Sequence, residues 1–288
     1  MRVGITYDLR DDYLSLGLGE EETAEFDRRE TIDSIESTLQ DLGYDTDRVG
    51  HVKDLVARLA GGDRWDLVFN IAEGLYGYGR EAQIPALLDA CRIPYTFSDP
   101  LSLTMTLHKG MAKHVVRGFG IPTPDFVVLK SPSDTAKVNL PFPLFVKPVA
   151  EGTGKGISPA SRLTSPRELA SQCSMLMSKY CQPVMVETYL PGREFTVGVV
   201  GTDIQAEAIG VMEVILKEQA EQHAYSYLNK ERCEELVEYR PLSDATAQEA
   251  MEIALAAWRA LECRDAGRID LRADADGRIH FLEANPLP

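Results

Sequence analysis

Residues 267–288, GRIDLRADADGRIHFLEANPLP, predict a β-hairpin, and this stretch does most to decide the fold. Asp276-Gly277 at its middle is typical of a two-residue type I′ turn, which needs positive φ at both central positions. Because side chains two apart on a strand share a face, this turn brings four polar side chains to one surface. They form two opposed pairs, Asp270 with Glu283 and Arg268 with Asn285.

These four side chains offer a donor set for a divalent cation. Two carboxylates and an amide supply hard oxygen ligands that suit Mg²⁺, which binds one or two carboxylates together with substrate phosphates. The neighbouring Arg268 can neutralise charge that develops on a transferred phosphoryl group. The alternative is a solvated hairpin face with opposed charges, which is common. Two facing acids without a lysine between them would repel each other, so a metal explains the pattern better.

Length and composition limit the class of protein. The chain has 288 residues, of which 44% are hydrophobic and 26% charged, as in ordinary globular proteins, and its length predicts two or three domains. The formal charge of −15 argues against a nucleic-acid partner, because binding a phosphate backbone needs basic patches. It leaves an anionic small substrate possible, since local charge can oppose the net charge.

Cysteine usage and hydropathy predict a cytoplasmic protein. Five cysteines form no C-x-x-C pair, which fits neither a disulfide framework nor a zinc site. The opening MRVGITYDLR lacks the apolar core of a signal peptide, and no stretch approaches the roughly 20 apolar residues of a membrane span. The chain stops directly after its best site motif, where chain ends fray, so we expect a natural segment beyond Pro288.

Strand and helix patterns alternate in the first ninety residues and predict a parallel sheet covered by helices. The predicted strands are 3–7 and 66–70, and the predicted helices are 28–42 and 82–91. An acidic tract at 20–25 indicates a surface loop or a helix start.

The pattern changes after residue 94. Predicted helices are 108–119, 165–180 and 244–261, and predicted strands are 126–129, 144–147, 184–187, 194–200 and 204–209. Residues 213–238 show no clear pattern. We therefore predict three domains, at 1–95, 96–187 and 188–288.

The segment Glu151-Gly-Thr-Gly-Lys-Gly156 is a glycine-rich loop, but it is not a P-loop. The P-loop spacing needs glycine at position 149 and a hydroxyl at position 156, where the chain has Val149 and Gly156. Amides of a flexible loop between two strands can instead close over phosphates. An ordinary hairpin connection is the alternative.

Two lysines and one strand end complete a predicted nucleotide site. Lys147 ends an apolar strand just before the loop and is placed to meet a phosphate as a point charge. Lys109 opens its helix, where a solvated side chain is equally compatible with the pattern. After Glu187, backbone groups freed near Leu190 can pair with a flat heterocycle, which leaves Glu194 to bond a ribose.

In this order the motifs resemble the ATP-grasp superfamily and, within it, the D-alanine–D-alanine ligase family. The motifs that carry the resemblance are FPLFVKP at 142–148, EGTGKG at 151–156, ETYLPGREFTV at 187–197, GRID at 267–270 and LEAN at 282–285. The resemblance covers roughly residue 66 to the end. It implies an α/β chain with the ATP-grasp fold, in which a Rossmann-like parallel-sheet domain precedes two α+β subdomains that clasp ATP.

The resemblance also implies a role for each matching residue. Lys109 and Lys147 would contact ATP phosphates. The loop would cover the phosphates through Glu151, Gly152, Gly154 and Gly156, with Thr153 where the family has a working serine. Glu187 and the Leu190 backbone would read adenine, and Glu194 would bind the ribose. Asp270, Glu283 and Asn285 would hold Mg²⁺ or Mn²⁺, and Arg268 would stabilise an acyl phosphate and a tetrahedral intermediate.

Several positions depart from the family. The glutamate and serine that hold the first D-alanine have no clean match among residues 17–25. The family's His-Gly after the third strand is Glu73-Gly74 here. The family's Lys-Tyr pair in a mobile loop is Lys230-Glu231 in the best register, with Lys230 on the nucleotide side.

We therefore predict an ATP-dependent carboxylate–amine ligase, with D-alanyl-D-alanine formation for peptidoglycan precursors as the leading activity. Its partners would be ATP and amino acids, without nucleic acid or membrane, and the resemblance implies a homodimer. Three alternatives are ligation of another amine, a nucleotide-binding homologue without catalysis, and a kinase-like phosphotransferase.

Overall fold

A computed structural model of the protein describes residues 1–287 and confirms the mixed α/β class. The chain divides into two compact units, Met1–Thr104 joined by Pro286 and Leu287, and Met105–Asn285. None of the helices within the described range combines the length and apolarity that crossing a bilayer would require.

The first unit is built on a parallel sheet in the order β2-β1-β3. Its strands are β1 (Arg2–Thr6), β2 (Asp45–Gly50) and β3 (Leu67–Asn70), and its helices are α1 (Arg10–Ser15), α2 (Arg29–Asp41), α3 (Val52–Ala60) and α4 (Gln83–Cys91). Helix α5 (Pro100–Leu107) begins in this unit and ends three residues into the second. Leu55, Val68 and Leu88 are fully buried between sheet and helices. The predicted strands and helices are present, and β2 and α3 are additional to the prediction. Residues 20–25 form turns.

The second unit begins with α6 (Lys109–Gly118) and an antiparallel sheet in the order β4-β7-β5-β6. The elements are β4 (Phe126–Leu129), β5 (Leu144–Pro148), β6 (Arg162–Leu163), α7 (Pro166–Tyr180) and β7 (Val184–Thr188). Ser165 caps α7 by accepting from the Glu168 amide. One face of the helix buries Cys173 and Leu176 against Val146 and its neighbours, so a packed core backs the strands that carry Lys147 and Glu187.

A second antiparallel sheet follows in the order β10-β9-β8-β11-β12. Its elements are β8 (Glu194–Val200), β9 (Glu207–Leu216), α8 (Tyr227–Glu231), α9 (Cys233–Leu236), β10 (Val237–Leu242), α10 (Ala245–Ala260), β11 (Ala266–Ala273) and β12 (Ile279–Asn285). Small alanines let α10 lie close to this sheet, with Trp258 fully buried. The division predicted at residue 188 stays a prediction.

The strand predicted at 204–209 is misplaced. Asp203–Gln205 forms a 3₁₀ turn, and the strand starts only at Glu207. The Arg259 side chain donates to the carbonyls of Asp203 and Ala206 at 3.0 and 3.1 Å, and it holds the backbone in the turn. Apolar alternation alone did not reveal this helix-to-turn contact.

The predicted type I′ turn of the terminal hairpin is wrong, although the pairing that it implied is right. Asp274 N donates to Arg278 O at 2.9 Å, which makes a three-residue turn in which only Gly277, at φ +85°, has positive φ. A β-bulge lies between Asp270 and Leu271, opposite Leu282, and shifts the register by one residue. The two deviations cancel, so that Asp270 still faces Glu283 and Arg268 still faces Asn285.

Candidate active site

A cavity of about 270 Å³ lies within the second unit, and most of the predicted site residues line it. The predicted residues in its wall are Lys109, Lys147, Glu151, Gly154, Glu187, Leu190, Glu194, Lys230, Arg268, Asp270 and Glu283. Among the described residues, Gly152, Thr153, Gly156 and Asn285 were predicted for the site but are not part of that wall. The rest of the wall combines apolar side chains, including Phe145, Ile157, Val214 and Leu282, with three tyrosines, two threonines and Arg272.

The terminal hairpin places its two carboxylates in this cavity. Asp270 accepts from Thr196 Oγ1 at 2.7 Å, from Asn285 Nδ2 at 3.0 Å and from Arg268 Nε at 3.2 Å. These three hydrogen bonds fix the carboxylate. The face of β11 that carries it is set by Ile269 and Leu271, which are buried on the opposite face. Asn285 uses its amide nitrogen to bind Asp270, which leaves only its amide oxygen for the predicted metal contact.

Glu283 is ionised in spite of its burial. Burial raises the pKa of this carboxyl group, but Lys109, Lys147, Lys230 and Arg268 outweigh it, so the pKa lies well below its ordinary value. The nearest of these cations is Lys109, whose Nζ lies 3.4 Å from Glu283 Oε2. A charged carboxylate is the form that a metal ligand needs.

The donor set fits Mg²⁺ rather than a transition metal. Within residues 1–287 no three His, Cys, Asp or Glu side chains converge as a metal-binding group. Two carboxylates and one amide leave coordination positions for phosphate oxygens and water, which is how Mg²⁺ is held in nucleotide sites. The metal role of Asp270, Glu283 and Asn285 stays a prediction.

A buried ion-pair triad lies beside the hairpin. Glu187 meets Lys147 Nζ at 2.9 Å through Oε1 and Lys113 Nζ at 2.6 Å through Oε2. Burial raises the pKa of Glu187, but Lys113 and Lys147 lower it by more. The net pKa lies below its ordinary value, and the carboxylate is charged. Glu187 thus holds the side chain of Lys147 in place. The predicted phosphate contact of Lys147 and the predicted adenine contact of Glu187 both stay predictions.

Sequence reasoning missed Lys113. Its side chain is fully buried on α6, and burial lowers its pKa to about 8. Nζ also donates to Thr123 Oγ1 at 3.0 Å. The available signal was a lysine four residues after Lys109, on the helix face that carries Ala112 and Val116 into the core.

The glycine loop is fastened at its base by Glu151. Lys155 Nζ lies 2.6 Å from Glu151 Oε2, and Gln182 Nε2 donates to Oε1 at 2.6 Å. Lys109 Nζ donates to the Glu151 carbonyl at 2.5 Å. A predicted phosphate lysine and the loop are therefore linked through one residue, and Lys155 is a second residue that sequence reasoning missed.

The loop needs its glycines for different reasons. Gly154 has φ +72°, and a Cβ there would lie 3.0 Å from the Tyr227 amide nitrogen. At Gly156 a Cβ would lie 2.6 Å from Pro148 Cγ. Thr153 adopts φ +50° without being glycine, which stores strain of about 1 kcal/mol or more.

Residues 217–236, which we call the connecting segment, join β9 to β10 and supply one wall of the cavity. Tyr225 and Lys230 line it, and Lys230 Nζ lies 5.1 Å from the centre of the Tyr225 ring. The hydroxyl groups of Tyr225 and Tyr239 form a short hydrogen bond. Asn229 folds the segment on itself by bonding the Ala224 carbonyl at 3.1 Å.

The positions of the first unit that depart from the family's sequence pattern lie in an acidic cluster after the ends of β1 and β3. Gly74 N donates to Asp8 Oδ2 at 2.8 Å, and Glu25 pairs with Arg80 at 3.1 Å. Burial and the neighbouring glutamates raise the pKa of Glu73, and burial raises the pKa of Asp27 to about 6. Glu73 thus occupies an environment that favours its neutral form.

Comparison with known proteins decides the family. The family model described as D-ala D-ala ligase C-terminus matches residues 115–288, more than half of the chain. The chain belongs to the D-alanine–D-alanine ligase family. It is 33% identical to the D-alanine–D-alanine ligase of Bordetella petrii over 88% of the chain and 76% of that protein. It is 31% identical to the D-alanine–D-alanine ligase of Aquifex aeolicus over 88% of the chain and 83% of that protein.

Other members extend this picture of the family. An uncharacterized protein, y4sG, from Sinorhizobium fredii is 31% identical over 89% of the chain and 77% of its own length. The D-alanine–D-alanine ligase from Bacillus anthracis complexed with ATP shares the fold at a TM-score of 0.69 and 21% identity, covering 100% of this chain and 87% of its own. The VanG D-Ala:D-Ser ligase from Enterococcus faecalis has a TM-score of 0.73 at 19% identity, over 100% and 90%. These likenesses confirm the predicted ATP-grasp fold.

Proposed function

We propose that this chain is an ATP-dependent ligase that forms an amide bond between two amino acids, with D-alanine as the leading substrate. The observation that carries the proposal is that Asp270 and Glu283, from opposed strands, enter one cavity with Lys109, Lys147 and Arg268. Two acids and three cations at a shared cavity form a site for a triphosphate and a divalent ion. Family membership supports a role in making peptidoglycan precursors.

In the proposed first step, a carboxylate oxygen of one substrate attacks the γ-phosphorus of ATP, and ADP leaves. Lys109 and Lys147 hold the phosphates, and the loop at 151–156 excludes water from them. Asp270, Glu283 and Asn285 would bind Mg²⁺, which supplies positive charge to the phosphate oxygens. The product is an acyl phosphate.

In the second step, the amine of the other substrate attacks the acyl carbon and phosphate departs with the former carboxylate oxygen. Arg268 is placed to donate to the oxyanion through its Nη groups, since only its Nε donates to Asp270. Coulombic interaction with Asp270 raises the pKa of Arg268 and keeps it charged.

Ligation of a different amine is a second candidate, and the acidic cluster of the first unit favours it. Glu73 stands where the family has histidine, and Glu25 and Asp27 lie among the charges that act on it. A carboxyl group whose pKa is raised by its acidic neighbours would regain its charge beside a cation, so Glu73 would suit a substrate that carries an additional amino group. An assay of ADP release that includes diamino acids among the substrates separates the two candidates.

The test is ADP release by the purified protein with MgATP and a panel of D- and L-amino acids, supplied singly and in pairs. ADP release with one dipeptide per ADP supports the ligase, either from D-alanine alone, which can fill both substrate positions, or from a pair of different amino acids. Release with a single acceptor and a stable phosphorylated product would make the protein a kinase. Nucleotide binding without turnover across the panel would make it an inactive homologue. A cytoplasmic location and a homodimer remain part of this proposal.

A further inference from the structure

Arg272 on β11 joins three parts of the second unit that the proposed function treats separately. Its Nη1 donates to Glu194 Oε2 at 3.1 Å, and its Nη2 donates to the His223 carbonyl at 3.0 Å. Its Cζ lies 5.5 Å from the centre of the Tyr189 ring. The side chain is 13% exposed, so these contacts are made away from bulk water. Arg272 therefore links β8, the connecting segment and the cavity wall.

The His223 carbonyl is one of the points at which the connecting segment is held to the rest of the second unit. Besides Arg272, the Tyr189 hydroxyl donates to it at 3.1 Å. Tyr189 is itself held, because its ring stacks on Phe145 and lies 5.1 Å from Arg162 Cζ. His223 has φ +80°, a strained value for a residue other than glycine, which the two hydrogen bonds help to maintain. Loss of either donor would weaken the docking of the segment.

Glu194 depends on the same guanidinium. Burial holds the pKa of Glu194 above its ordinary value, and Arg272 is the largest of the groups that oppose this rise. A ribose hydroxyl donates best to a charged and fixed carboxylate. Arg272 favours the charged form and fixes the orientation, because it donates to one carboxylate oxygen of a side chain that lines the cavity.

We propose that Arg272 is a positioning residue that couples binding of the ribose at Glu194 to docking of the connecting segment over the nucleotide. The inference rests on the proposed function, which places the ribose at Glu194. A guanidinium held by Glu194 at one end is oriented for the His223 carbonyl at the other, so occupancy of one contact favours the other. The docked segment carries Tyr225 and Lys230 into the cavity wall.

Two readouts test this coupling. The first is the ratio of dissociation constants for 2′,3′-dideoxy-ATP and ATP, measured by calorimetry with Mg²⁺. The second is hydrogen exchange of the amides in residues 217–236 at saturating nucleotide. In the unmodified protein we expect ATP to bind at least about tenfold more tightly, because hydrogen bonds to a charged acceptor are lost with the hydroxyls. We also expect ATP to protect the segment more than dideoxy-ATP does.

The variants separate the two ends of Arg272. In Arg272→Met the affinity ratio should fall to within about twofold of unity, and both nucleotides should protect the segment equally weakly. Tyr189→Phe removes only the second donor to His223 and leaves the Arg272–Glu194 contact, so it should lose protection and keep a larger affinity ratio than Arg272→Met. Arg278→Met removes an exposed arginine from the same hairpin and should change neither readout. Thermal unfolding of each variant checks its fold, and Arg272→Lys, which keeps the charge on a single donor nitrogen, should give intermediate values.

Each outcome decides a different claim. An unmodified protein that binds both nucleotides equally would overturn the ribose site at Glu194, and the coupling with it. A protein that discriminates between them, with Arg272→Met discriminating and protecting equally well, would overturn the coupling and leave the proposed function standing.

Discussion

Replacement of Arg268 by alanine tests the proposed chemistry without removing a metal ligand. Arg268 Nε lies 3.2 Å from Asp270 Oδ1, and the side chain is 45% exposed toward the cavity. Asp270 keeps two other partners in the variant, Thr196 at 2.7 Å and Asn285 at 3.0 Å. The nucleotide site should therefore survive, and the KM for ATP should change by less than about threefold.

The expected loss lies in the transition state. Removing a donor to a developing oxyanion costs about 3–4 kcal/mol, which corresponds to a fall in kcat of roughly 10²–10³-fold. Arg268→Lys keeps the charge but not the planar fork, so it should recover only part of the rate. The assay is steady-state ADP release with both amino acids, and Arg278→Ala is the control. A loss of kcat below threefold, or a loss confined to the KM for ATP, would refute the role given to Arg268.

Three further predictions concern the metal site, the glycine loop and the first unit. Glu283→Gln removes a charged ligand at constant shape, so turnover should disappear while the thermal unfolding midpoint stays within a few degrees; near-normal turnover would exclude the metal site. Glu151→Gln and Lys155→Met should each raise the KM for ATP, because breaking a buried 2.6 Å pair leaves one charge without its partner. In the double variant the KM should rise by less than the product of the two single increases. Independent effects on the KM would show that the pair does not order the loop. In Asp47, hydrogen bonding to Arg58 lowers the pKa to about 2, so its stabilisation of roughly 2 kcal/mol is complete above pH 3.8 and is lost as the pH falls toward 2. Urea unfolding should show Asp47→Asn less stable by that amount at pH 6 and by much less at pH 2.5, and a constant difference would contradict the assignment.

The terminal hairpin shows how far a sequence pattern can carry an argument. Facing of Asp270 and Glu283 was predicted from a turn that the protein does not have. The strand period fixes which side chains share a face, and burial of Ile269 and Leu271 enforces that face. The turn type and the bulge at Leu282 depend on local backbone energies that the alternating pattern does not encode.

Buried charge is what the sequence could not reveal. Lys113 was missed because a fully buried lysine is rare, and only the three-dimensional meeting of α6 with β7 shows its partner Glu187. Arg272 and Tyr189 were passed over for a similar reason. Their shared acceptor is the carbonyl of His223, and a backbone carbonyl leaves no sign in a sequence.

The most direct test of the account follows an oxygen atom. With D-alanine labelled with ¹⁸O in both carboxylate oxygens, the attacking oxygen leaves with the phosphoryl group when the amine displaces it. The account predicts one ¹⁸O in each inorganic phosphate released during dipeptide formation, as measured by mass spectrometry. Phosphate released without ¹⁸O, at a rate matching ADP release, would contradict an acyl phosphate and with it the proposed work of this site.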